Sequence, residues 1–305
     1  MTLDRETYRA LIDARIFKPE SFGAALASRR RRSVAGQDGK LLIIAADHTA
    51  RGKISLGNDP LAMSDRFTLL ERLVRCLAMP EVDGVLASAD ILEELAWLGA
   101  LDGKLALGTI NRGGIIGATW ELDDRVTAYD VEHVVSAGLD GGKTLIRIDH
   151  TDPGVARTIE TVARISTELA DHKIMSLIEP LPYVTRPDGA HVLDPSDDAL
   201  VKVVAIASGL GASSAYTWLK VPASHRMSDV AGATSLPILM LGGEPGDEPD
   251  ELFDLWAKSM EEPNVRGLVA GRTLLYPTHG EPEDAVIRAS AVIRPGSAVP
   301  TEGDR

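Results

Sequence analysis

From residue 40 onward, short apolar runs alternate with longer stretches whose apolar residues recur every three or four positions. The short runs fall at 40–46, 83–88, 104–110, 142–149, 174–181, 216–222, 237–242 and 265–270. Their near-continuous apolar character is that of strands covered on both faces. The stretches near 61–79, 90–100, 127–138, 153–171, 196–210, 224–233, 248–261 and 282–293 read as helices. Phe67, Leu70, Leu73, Val74 and Leu77 show the helical spacing, and Asp152-Pro153 and Pro195-Ser196 are helix starts. Strands alternating with helices imply parallel βαβ units. Eight such units in about 250 residues match an α/β fold of the closed (β/α)8 type, the TIM barrel. An open doubly wound sheet would carry a GxGxxG turn after its first strand, and the turn here reads AADHTARGK. The expected organisation is an N-terminal helical extension over 1–39 covering the barrel's N-terminal end, a catalytic barrel over 40–295 and a flexible tail over 296–305.

Composition narrows the function classes. The formal net charge of −13 argues against a general nucleic-acid or anionic-membrane binder, though a site can be locally basic. No run approaches the roughly 18–20 apolar residues of a membrane span, and no secretory signal is visible. The single Cys76 excludes an intrachain disulfide and reads as core packing. The expectation is a cytoplasmic protein with a small-molecule substrate and no cofactor, metal, nucleic-acid or membrane partner; a homo-oligomer is left open. Arg29–Arg32 is the one dense basic run. It reads as a solvated helix end or linker, with a phosphate or acidic-partner contact as the alternative.

In such barrels the chemistry sits at the C-terminal strand ends. The first strand ends in Asp47-His48, the third in Asn111-Arg112, the seventh in Gly242-Gly243 and the eighth in Gly271-Arg272. The strand period of two puts Tyr216, Trp218 and Lys220 on one face of the sixth strand. It likewise groups Lys143, Leu145, Arg147 and Asp149 on the fourth strand, and Met175, Leu177 and Glu179 on the fifth. Outward placement would bury these charges against helices at several kcal/mol per unpaired ion, so the inward face is expected. Lys143 with Glu179 could still be a purely structural salt bridge, and Asp47-His48 a simple loop cap. A desolvated lysine beside other cations becomes a nucleophilic amine, and such amines form Schiff bases with carbonyl substrates. A neighbouring carboxylate moves the protons. Lys220 is therefore the expected nucleophile and Glu179 its acid/base partner. Gly242, Gly243 and Gly271 let a phosphate approach the backbone, and Arg272 offers a bidentate fork; tight turns alone would also explain the glycines. Arg147 or Arg112 is expected to hold a second phosphate or carboxylate.

The segments EPLPY (179–183) and LKVPAS (219–224) resemble the class I aldolases of the DeoC/LacD/FbaB superfamily, most closely the LacD-like, tagatose-1,6-bisphosphate aldolase branch. The likeness extends through AADHTARG (45–52), DGGKTLIRID (140–149) and GRTLLY (271–276). It implies a Schiff base on Lys220, acid/base work by Glu179, assistance from Lys143 and phosphate holding by Arg272. Asp47 is expected to hold substrate hydroxyls, with His48 beside it. The strand-seven LGGE lacks the second lysine of deoxyribose-phosphate aldolases, and the Trp-x-Tyr pattern of archaeal-type fructose-bisphosphate aldolases is absent. The implied activity is aldol cleavage of a phosphorylated ketose or keto-sugar acid to dihydroxyacetone phosphate and an aldehyde. A ketose bisphosphate or 6-phospho-5-dehydro-2-deoxygluconate is the candidate substrate. The alternatives are a metal-dependent lyase or hydrolase using His48, His150, His225, Asp47 and Glu179, and a sugar-phosphate-binding barrel without catalysis.

Overall fold

The computed structural model describes residues 2–296 apart from 112, 113, 116 and 244–248. Two helices lead, α1 (Arg5–Phe17) and α2 (Glu20–Ser28). There follow β1 (Leu41–Ala45), a 3-10 turn at His48–Arg51, α3 (Arg66–Ala78), β2 (Gly84–Ala87), α4 (Ala89–Trp97) and β3 (Leu105–Thr109). Next come α5 (Val131–Ser136), β4 (Gly141–Ile148), α6 (Val155–Asp171), β5 (Met175–Thr185), β6 (His191–Leu193) and α7 (Asp197–Ser208). The chain closes with β7 (Thr217–Pro222), α8 (Met227–Gly232), β8 (Ile238–Leu241), α9 (Pro249–Ser259), β9 (Val265–Ala270), α10 (Arg272–Leu275) and α11 (Pro282–Ile293).

All eight expected strands form. They pair in parallel around the ring β1-β2-β3-β4-β5-β7-β8-β9, and β9 returns to β1. This is a closed (β/α)8 barrel. Two helix starts depart most from the expected boundaries, for identifiable reasons. The helix expected from 61 begins at Arg66, because the Asp65 carboxylate accepts the Thr68 amide at 2.7 Å. The helix expected from 127 begins at Val131, where Asp130 accepts from the His133 amide at 2.8 Å. The fifth strand runs on to Thr185 and turns back antiparallel as β6, pairing Tyr183 with Leu193.

Alternation along the strands builds two cores. Leu41, Ile43 and Ala45 face the barrel axis with Leu86, Leu105, Leu107, Leu177, Leu239 and Val269. Leu42 and Ile44 face the helices with the larger outer core. Cys76 packs in that outer layer, where burial pushes its thiol up to about 12.

The N-terminal segment differs from expectation in what covers the barrel. α1 and α2 lie against the outer helices: Tyr8 meets Phe67 edge-on at 5.4 Å, and Phe22 stacks on Trp97 at 6.0 Å. The extended stretch after them crosses the N-terminal strand ends, and Val34 packs against the axial core. The arginine run is therefore only in part solvated: Arg29 is buried, Arg30 and Arg31 stay exposed, and the run finds its partners within the chain. Arg29 and Arg31 pair with Asp140 at 2.7 and 3.0 Å, and Arg32 pairs with Asp83 at 2.8 Å. These carboxylates also accept strand amides, Asp140 from Ala106 and Asp83 from Leu42. The run thus buckles the strand starts of β1 to β4.

Candidate active site

The axial face of the barrel is apolar at its lower levels and charged near its C-terminal end. Leu177 of β5 is level with Lys143 of β4 and with Trp218 of β7. One further residue pair beyond Ile178–Leu219, the same register brings Glu179 level with Lys220. Side chains level on adjacent parallel strands share a face, so these charges meet. Lys220 Nζ lies 3.1 Å from Glu179 Oε1, and Lys143 Nζ lies 2.5 Å from Glu179 Oε2. Lys143 reaches on to Asp47 Oδ2 at 3.3 Å. The result is a chain of alternating charge, Lys220, Glu179, Lys143 and Asp47, in which no ion is buried without a counter-ion.

The two lysines differ in access. The Lys143 side chain is 0% exposed and lies beneath the open space. The Lys220 side chain is 7% exposed and lines a cavity of about 530 Å³ at the barrel mouth. Asp47, His48 and Glu179 share that wall. Gly242, Gly243, Gly271 and Arg272 continue the wall between β7 and β1. Gly243 has φ +69°, a left-handed conformation that a side chain disfavours. A Cβ on Gly271 would stand 2.3 Å from the Ala45 carbonyl oxygen, so glycine is required for the close packing of β9 on β1. Thr273 Oγ1 donates to the Gly242 carbonyl at 2.9 Å and ties the two loops together.

Arg147 is not brought to the cavity. Its side chain is 0% exposed and grips Asp124 through Nε at 2.9 Å and Nη2 at 2.8 Å. Burial raises the Asp124 carboxyl from its ordinary aspartate value, against the pull of the Arg147 pair. Arg147 also reaches Glu121 Oε1 at 3.3 Å and stands 5.5 Å from the Tyr183 ring centre. Asp149 likewise turns from the cavity and accepts from Thr185 Oγ1 at 2.6 Å and Thr151 Oγ1 at 2.7 Å, pinning the β5–β6 hairpin. Asn111 is structural: its side chain accepts the Leu145 amide at 2.6 Å and donates to the Leu145 carbonyl at 2.7 Å, continuing the β3–β4 ladder past the end of β3. Arg112, the other expected second-anion residue, lies outside the described residues, as does the tail from residue 297. Among the described residues, no group of three or more His, Cys, Asp or Glu side chains gathers to hold a metal ion. No helix there is long and apolar enough to cross a membrane.

Sequence reasoning missed Arg51, Lys53 and Leu193 in the cavity wall. The pair of basic residues in HTARGK was a usable signal for the first two. Leu193 was not legible, because it arrives only through the turn-back at β6.

Comparison with known proteins follows this geometry. Residues 39–290 match the family model described as Cgl0159-like. The crystal structure of Cgl0159 from Corynebacterium glutamicum is 43% identical, with 95% of this chain and 98% of that chain covered and a TM-score of 0.92. The chain belongs to the Cgl0159-like family. More distant structures share the barrel. An archaeal fructose-1,6-bisphosphate aldolase, seen with its catalytic lysine covalently bound to the carbinolamine intermediate of the substrate, is 19% identical, with 89% and 97% covered and a TM-score of 0.62. The fructose-bisphosphate aldolase from Slackia heliotrinireducens is 14% identical, with 92% and 86% covered and a TM-score of 0.64. At that identity the likeness speaks for the fold. No curated protein matches the chain in sequence.

Proposed function

We propose that this Cgl0159-like protein is a class I aldolase, a carbon–carbon lyase that works through a Schiff base on Lys220. One observation carries the reading: Lys220 lines the mouth cavity with its Nζ 3.1 Å from Glu179, while Lys143 is sealed beneath. A structural salt bridge would not need its lysine open to a cavity that could hold a sugar phosphate.

In the reaction, Glu179 takes a proton from Lys220 and the free amine attacks the substrate ketone. The carbinolamine loses water, with Glu179 returning the proton to the departing oxygen. The iminium draws in the electron pair of the carbon–carbon bond beyond its neighbouring carbon. That bond breaks as the Glu179 carboxylate takes the proton of the hydroxyl on the far carbon, an aldehyde leaves, and Glu179 holds this proton for the enamine carbon. The remaining enamine takes a proton at carbon, and water hydrolyses the new iminium to release the ketone fragment and restore Lys220.

Lys143 holds the Glu179 carboxylate in place and, from beneath the cavity, does not reach a substrate hydroxyl. Asp47, seated by Lys143, receives hydroxyls from above, with His48 beside it. Gly242, Gly243, Gly271 and Arg272 hold the phosphate of a dihydroxyacetone phosphate fragment. The motifs EPLPY and LKVPAS favour the LacD-like branch and a phosphorylated ketose or keto-sugar acid, in carbohydrate breakdown in the cytoplasm.

Borohydride reduction in the presence of dihydroxyacetone phosphate, followed by peptide mass spectrometry, tests the reading. A reduced adduct on Lys220 is expected. An adduct on Lys143 would reverse the lysine roles, and no adduct with any of a panel of phosphorylated ketoses would remove the aldolase reading.

A further inference from the structure

The cavity wall changes character around the ring. The glycine loops and Arg272 follow β8 and β9, and Lys220 stands on β7. On the side of β7 away from β8 the ring continues with β5, which carries the β5–β6 hairpin. A substrate with its phosphate at the glycine loops and its ketone at Lys220 therefore sends its remaining carbons on toward β5 and β6.

That stretch of wall is apolar. Leu181 and Tyr183 come from β5 and Leu193 from β6, while Pro222 ends β7 and Ala223 follows it. Tyr183 and Leu193 stand opposite each other in the antiparallel ladder, so their side chains share a face. Leu193 is 43% exposed, an apolar surface open to the mouth. The backbone offers few partners here. Pro180, Pro182 and Pro222 have no N–H to donate. The Pro182 carbonyl already accepts the Asp194 amide at 2.9 Å. Above Glu179 and Lys220, the Tyr183 hydroxyl is the one polar side-chain group among the described residues of this stretch. A fragment with a hydroxyl on every carbon would give up its water there with little to replace it, whereas alkyl carbons would bury against Leu181 and Leu193. Asp149 holds the hairpin for this contact, accepting from Thr185 Oγ1 at 2.6 Å.

We infer that Leu181, Tyr183 and Leu193 form an apolar subsite for the aldehyde fragment, so that this fragment carries hydrogens, and no hydroxyl, on the carbon beside its carbonyl. The inference rests on the Lys220 aldolase reading and adds to it the chemical class of the aldehyde, a short alkyl aldehyde in place of a polyhydroxylated one. Leu193 is the specificity-determining residue, brought to the mouth by a strand outside the ring of eight.

The test is carbon–carbon bond formation from dihydroxyacetone phosphate, the reverse of cleavage, with two aldehydes of equal size, propanal and glycolaldehyde. Propanal has a methyl group where glycolaldehyde has a hydroxyl. That electron-withdrawing hydroxyl makes glycolaldehyde the more electrophilic carbonyl, so a preference for propanal reports the wall and not intrinsic reactivity. Lys220 trapping with dihydroxyacetone phosphate is run alongside and counts the competent sites in each sample. In the wild type, propanal should exceed glycolaldehyde in kcat/KM by about 10- to 100-fold, the range over which an apolar pocket rejects a hydroxyl isostere. In Leu193→Asn the ratio should fall toward one, mostly through a higher KM for propanal, and Leu193→Met should keep most of it. A ratio that survives Leu193→Asn overturns the inference. So does a wild type that traps dihydroxyacetone phosphate on Lys220 and shows no preference for propanal, a result that needs no variant to fold. A wild type without the adduct overturns the aldolase reading and the inference with it.

Discussion

The Glu179 carboxylate is shared by two lysines, Lys220 at 3.1 Å through Oε1 and Lys143 at 2.5 Å through Oε2. Each oxygen has its own ammonium, so the proton moved in the reaction belongs to the Lys220 side while Lys143 fixes the group from below. Glu179→Gln preserves shape but cannot cycle a proton. Its kcat should fall by about 10²- to 10⁴-fold, with slower borohydride trapping on Lys220. Unchanged trapping and turnover would take the proton shuttle away from Glu179.

Lys143 has a different burden. It stands between two buried carboxylates and is itself 0% exposed. Lys143→Met leaves Asp47 and Glu179 facing each other without their shared cation, a loss of about 3–5 kcal/mol for a broken buried pair. Urea unfolding should report that destabilisation. The folded fraction should still form an adduct on Lys220, because the nucleophile is not Lys143. Full stability in this variant would mean that the pair is satisfied by something other than Lys143.

These charges were readable in sequence because strand alternation is a strong rule. With Leu41, Ile43 and Ala45 facing the axis, every second residue of β4, β5 and β7 follows, which places Lys143, Glu179 and Lys220 together. The rule sets the face but not the partner near the top of β4. Arg147 and Asp149 obey the same parity, yet Asp124 and Thr185 claim them. Their partners come from the β3–β4 connection and from a hairpin that no local pattern announces. The arginine run was misread for a related reason. Its partners Asp83 and Asp140 lie 51 and 109 or more residues away, so only the closed barrel brings them together.

The arginine run makes its own prediction. Arg29 is buried against Asp140, its side chain only 2% exposed, and also donates to the Gly138 and Lys104 carbonyls. Arg29→Ala leaves the Asp140 carboxylate buried with Arg31 alone, and should cost about 3 kcal/mol in thermal or urea unfolding. Arg31→Ala should cost far less, because that side chain is 54% exposed and its pair is screened by water. Both sit at the opposite end of the barrel from Lys220, so turnover per folded molecule should be kept. Equal costs for the two variants would show that burial is not what sets the value of the strap.

Asp149 gives a pH-dependent prediction whose sign follows from its surroundings. Burial alone would raise its pKa, but hydrogen bonds from the Thr185 and Thr151 side chains and amides outweigh burial and hold it below the usual aspartate value. The folded protein therefore binds this proton less readily than the unfolded chain does. As the pH falls through the ordinary aspartate range, the unfolded chain takes up the proton first and is favoured. The stabilisation is fully present above that range and is lost as the pH drops through the folded value. Asp149→Asn should lower stability at neutral pH by loosening the β5–β6 hairpin. The gap between variant and wild type should close on titration from about pH 5 to pH 2, below the range where histidines change charge. Denaturant unfolding across that range makes the comparison. A gap that stays constant with pH would mean that Asp149 contributes through shape alone, and that its charge does not hold the hairpin beside the cavity.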